Sequence, residues 1–140
     1  MLPQFWDGVA FLTDIGVRYY LPAMMILTTT KFTESDRLAD NLIDILTRPE
    51  SEDLERLESH VKMLPNLARG EDAVRSARHL YESGYLTKRF DALTSQLTRE
   101  QAQAIHHFLE YMREAHSEDF VSGEPDTALR RYWSAAVGRF

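Results

Sequence analysis

Hydrophobic positions recur at three- and four-residue spacing along most of the chain, and no alternating run marks a strand. Leu38, Leu42, Ile45 and Leu46 share one side of a helix. Leu54, Leu57, Val61 and Leu64 repeat the pattern, as do Val74, Ala77 and Tyr81. The clearest stripe is Ile105, Phe108, Leu109 and Met112, and Leu129, Tyr132, Trp133 and Ala136 follow near the C-terminus. Each stripe is broad enough to seat a helix on a shared core.

Caps and breakers divide these stripes into elements. Thr13 reads as an N-cap with Asp14 in the first turn, where a carboxylate suits the helix dipole. Pro22 has no N–H for the carbonyl of Arg18 and biases Leu21 away from helix, so a kink or break is expected there. A second helical piece should then run from Pro22 to Thr30. Thr33 is expected to cap the next helix, which Pro49 ends, and Ser51 to cap the third, which Pro65 closes. Glu52–Arg56 and Glu58–Lys62 are favourable pairs on that third helix. A fourth starts at Gly70 and stops at Gly84, a C′ glycine. The stretch from Tyr85 to Leu97 is less regular, with Phe90 and Leu93 as anchors. Thr98 to Gln101 form a T-x-x-Q capping box before the clearest helix. A loop from His116 to Glu124 leads to a last helix opened by Pro125. The expectation is all-α: one compact, irregular bundle of about six short helices over residues 1–140, with one kinked or broken at Pro22.

The chain has 140 residues and no cysteine, which excludes disulfides, cysteine-based zinc sites and thiol nucleophiles. Its N-terminus lacks a basic start and a long apolar core, and no apolar run approaches a membrane span, so a soluble cytoplasmic protein is expected. The net charge of −6 is unevenly placed: Glu34 to Glu58 hold nine acids and three bases, and the remainder balances. Such a segment disfavours nucleic acid and favours a basic partner, although charge runs commonly only solvate a helix face.

Trp6-Asp7, Phe11, Thr13, Gly16 and Tyr19-Tyr20-Leu21-Pro22-Ala23 form an unusual block. A second block comprises Arg89-Phe90, Leu93-Thr94, Thr98, Gln101, Ala104-Ile105 and Phe108-Leu109-Glu110. Together they resemble an uncharacterised bacterial family of unknown function. The resemblance covers two short blocks. It implies a helical domain and a bacterial origin, and it implies no activity or catalytic residue. Many members of that family carry a further segment upstream, often with cysteines.

Three constellations invite a functional reading. Trp6, Arg18, Tyr19 and Tyr20 could line a pocket at the Pro22 break, although aromatics at helical spacing are more commonly core. Tyr19 and Tyr20 point about 100° apart, so at most one is enclosed. Asp36, Asp40 and Asp44 lie four apart and repel one another, which a sequence chosen for stability alone would avoid. They read as a docking stripe for a basic protein or, more weakly, as a hard-cation site with oxygen ligands, beside the commoner reading of a solvated face. His106, His107 and Glu110 read as surface residues, because adjacent histidines on a helix diverge and no H-E-x-x-H motif is present. No metal, cofactor or catalytic residue is expected. The leading reading is a non-enzymatic protein-binding domain, of the immunity or inhibitor type, that masks a basic partner through an acidic face. The alternatives are a small-molecule binder or enzyme at the Pro22 pocket, and a structural or oligomerisation module contacting through residues 22–25.

Overall fold

The structure, a computed structural model, describes residues 13–64 and 70–139, apart from the side chains of Asp14 and Asp36. The described residues are helical and form no strand, as the periodicity predicts. Internal contacts group the chain into two compact units. One comprises the described parts of Met1–Arg48 with Ala92–Phe140, and the other is Pro49–Asp91.

In the first unit, α1 runs over Asp14–Thr30. The Thr13 hydroxyl accepts from the Gly16 N–H at 3.1 Å, so the expected cap forms. Of the kink or break expected at Pro22, the break does not occur: the helix passes through Pro22 without interruption. Pro22 is exposed, whereas Val17, Leu21, Met24 and Thr28 are buried on the opposite side. The disturbance at the proline therefore faces water, while packing holds the buried side helical, and tertiary contacts commonly outweigh local propensity in this way. The hydroxyls of Thr28, Thr29 and Thr30 each donate to the carbonyl four residues back, at 2.8, 2.7 and 2.8 Å.

A short 3₁₀ turn, Phe32–Glu34, leads to α2 (Asp36–Ile45). Thr33 lies inside that turn and not at the helix start; Ser35 takes the N-cap position, and its hydroxyl donates back to the Lys31 carbonyl at 2.8 Å. Leu38, Leu42 and Leu46 are buried as expected, joined by Ala39 and Ile43, while Ile45 is only half-buried.

After Tyr85–Thr94, the fifth helix (α5), Thr98 caps α6 (Arg99–Ala115). The predicted capping box is complete: Gln101 N–H donates to Thr98 Oγ1 at 3.2 Å, and Thr98 N–H to Gln101 Oε1 at 2.9 Å. Ile105, Phe108, Leu109 and Met112 are buried. Backbone and Thr98 hydrogen bonds hold the Glu100 carboxyl below the usual carboxylate range. Thr98→Ala should cost about 1 kcal/mol of stability and move the Glu100 midpoint upward, read by urea unfolding and carboxyl NMR titration. Because the folded value is depressed, the Glu100 contribution is present above the ordinary glutamate pKa. It is lost as pH falls through the folded value.

Gly123 then turns the chain at φ +67°, a conformation that favours glycine. It leads into α7, which is α-helical over Glu124–Ala128, π-helical over Leu129–Trp133 and α-helical again over Ser134–Ala136. The π turn was not legible in the spacing. Trp133 is fully buried, and its indole N–H donates to the Leu46 carbonyl at 2.6 Å.

The second unit holds α3 (Ser51–Met63), α4 (Gly70–Glu82) and the start of α5 (Tyr85–Thr94). Glu50, and not Ser51, caps α3, paired with Asp53 in a reciprocal box. Glu52–Arg56 forms at 2.5 Å, but Glu58 binds Arg78 of α4 in place of Lys62. Tyr81 donates to Asp53 at 3.2 Å, a second tie between α3 and α4. Tyr85–Thr94 is a regular helix, contrary to the expected irregularity, and Phe90 and Leu93 are buried.

Candidate functional site

The side of α1 opposite its buried stripe carries Ile15, Tyr19, Pro22, Ala23 and Ile26, which fall within about 100° of arc. All five are exposed; Ile15 is 67%, Tyr19 77% and Ile26 64% accessible. No charged residue interrupts them. Thr30 extends the same side, and its hydroxyl is spent on the Ile26 carbonyl. A water-facing helix side normally carries charge, so an uncharged run of this length is a candidate contact surface. The continuity of α1 through Pro22 creates it: a break would have separated Ile15 and Tyr19 from Ile26.

Tyr19 and Tyr20 stand edge to face with ring centres 4.9 Å apart, and both are exposed. The rings thus present to solvent and enclose nothing between them. Arg18 is half-buried and engaged by other groups, and Trp6 lies outside the described residues. Asp40 and Asp44 are exposed on α2, yet each has interactions with neighbouring groups, so the acidic stripe is not bare charge. Asp36 opens α2, but its side chain lies outside what is described.

Two clusters gather around histidines, the first of which the sequence reads as surface residues. His106 Nδ1 lies 3.4 Å from Glu110 Oε2, and one ligand atom from each of His106, His107 and Glu110 lies within 4.8 Å of the others. Adjacent histidines do diverge, but Glu110, one turn on, sits at an angle between them, and that intermediate position unites the three. The second cluster centres on His116. Its ring stacks on Phe32 with centres 3.7 Å apart, Tyr111 meets its edge, and Asp119 Oδ2 lies 3.2 Å from Nδ1. Phe120 packs edge-on against Phe32, so the group joins the 3₁₀ turn to the end of α6. No signal in the spacing joins Phe32 to His116, since the fold alone brings them together.

No helix among the described residues is long and apolar enough to cross a membrane. In comparisons with known proteins, no family model, no curated protein and no solved structure matches this chain.

Proposed function

We propose that this chain is a non-enzymatic protein-binding domain whose contact surface is the exposed side of α1. The observation that carries this reading is the uncharged run of Ile15, Tyr19, Pro22, Ala23 and Ile26. Exposed tyrosine supplies a rigid, amphipathic anchor of the kind that dominates binding energy, and the isoleucines beside it add apolar area. The partner is a protein with an apolar groove rimmed by lysine and arginine. The rim follows from charge complementarity, since Asp36, Asp40 and Asp44 lie on α2, the helix that follows α1. In this arrangement the apolar side sets affinity, and the acids speed encounter. An immunity- or inhibitor-type protein covering a basic partner has these properties. The likeness of residues 6–23 to an uncharacterised bacterial family belongs to the same proposal and adds no activity to it.

The test is co-purification from the native host, followed by reconstitution with the purified candidate. Tyr19→Glu with Ile26→Glu should weaken binding by about 100-fold or more without unfolding the domain, because both positions face water. Asp40→Asn with Asp44→Asn should slow association and flatten its salt dependence. Equal binding by the Tyr19/Ile26 variant would overturn the proposal. So would light scattering in which the protein alone is a dimer that the same variant dissociates, which would assign the surface to a second copy.

A further inference from the structure

We infer that His106, His107 and Glu110 form a binding site for a borderline divalent transition cation, with zinc as its type. The inference is independent of the α1 surface. Three different side chains present one ligand atom each within 4.8 Å of one another. A point between them lies no more than about 2.8 Å from each atom, against ligand distances of about 2.0–2.2 Å for zinc. Each ligand atom therefore has to move inward by at most about 0.7 Å, which side-chain rotation supplies without any change in the helix.

The backbone that holds the site is a well-buttressed helix, α6. Ile105, Phe108, Leu109 and Met112 are buried beneath it, and the Thr98–Gln101 box closes its N-terminus. His107 is exposed, and His106 and Glu110 are half-buried, so the ligands are reachable from solvent and partly supported from below. The contact between His106 and Glu110 already brings an imidazole and a carboxylate together.

Donor chemistry selects the ion. Two imidazoles and one carboxylate suit zinc, copper or nickel. Calcium and magnesium require sets dominated by oxygen. Three protein ligands leave at least one position of a tetrahedral ion open, for water or for a donor from another molecule. The site would thus bind its ion reversibly from solution.

Isothermal titration of the untagged, full-length protein with zinc chloride in chelator-treated buffer tests the assignment, with cobalt(II) absorbance as a second readout of tetrahedral coordination. The expected result is one ion per chain. His106→Ala, His107→Ala and Glu110→Ala should each weaken binding by about tenfold or more, as loss of even an outer-sphere partner costs about 10–100-fold. His116→Ala should leave the affinity unchanged, which separates this site from the close histidine–carboxylate contact of His116 with Asp119. Circular dichroism checks that each variant keeps its helix. Absence of binding by the wild type, or binding that survives all three substitutions, would overturn the assignment.

Discussion

Trp133→Ala is expected to destabilise the protein by about 3–5 kcal/mol, the range for removing a large buried aromatic. That is a large share of the ~5–15 kcal/mol that holds a typical domain together. The side chain is fully buried, and its indole N–H donates to the carbonyl of Leu46, just beyond α2, at 2.6 Å. The last carbonyls of a helix have no partner within it, so this bond closes an end that would otherwise need water. Arg131 completes the closure by donating to the Arg48 carbonyl at 3.0 Å. Both donors come from the π-helical turn, in which the Ser134 N–H reaches the Leu129 carbonyl five residues back. The wider turn shifts the facing of the residues after it relative to an α-helix. Trp133→Phe keeps most of the apolar volume and removes the donor, so it should cost a smaller amount, about 1–3 kcal/mol. Urea unfolding of the two variants measures both values. A Trp133→Phe midpoint equal to wild type would show that the hydrogen bond contributes nothing.

Pro22→Ala carries the second large effect, and its sign is opposite. A proline inside a helix costs about 3 kcal/mol relative to alanine, through the missing N–H and the clash of its ring with the preceding turn. Pro22 sits mid-helix in α1 and faces water, so replacing it removes no buried contact. Alanine puts an N–H back within reach of the Arg18 carbonyl. Part of the gain is offset because proline also restricts the unfolded chain, by about 0.4–1 kcal/mol. The expected outcome is a net stabilisation of about 2 kcal/mol, seen as a rise in Tm. If Pro22 shapes the α1 contact surface, the same variant should bind its partner more weakly despite being more stable. A variant no more stable than wild type would mean that the turn around Pro22 already carries no penalty.

Much of the fold was legible because its signals are local. The Thr98–Gln101 box, the Thr13 cap, the Gly84 and Gly123 turns and the Ile105–Met112 stripe each depend on residues a few positions apart. Where the reading failed, a distant partner had decided the matter. Pro22 signals a break, but the core beneath Leu21 and Met24 carries the helix across it. Glu58 has Lys62 one turn away, yet it pairs with Arg78 on the neighbouring helix. The candidate sites follow the same division. Tyr19 and Tyr20 stand out in the sequence, whereas Ile15 and Ile26 share a surface with Tyr19 only because α1 is continuous.

The sequence by itself determined that the described chain is helical, where most helices start and stop, and which side of each is apolar. It did so because caps, turns and the 3.6-residue period act within a few residues of themselves. Tertiary structure decided which apolar sides meet one another and which stay in water. It buried one side of α1 and left the other bare, wound Leu129–Trp133 into a π turn to close α2, and set Phe32 on His116. Those outcomes depend on contacts between residues far apart in the chain, and no local pattern encodes them.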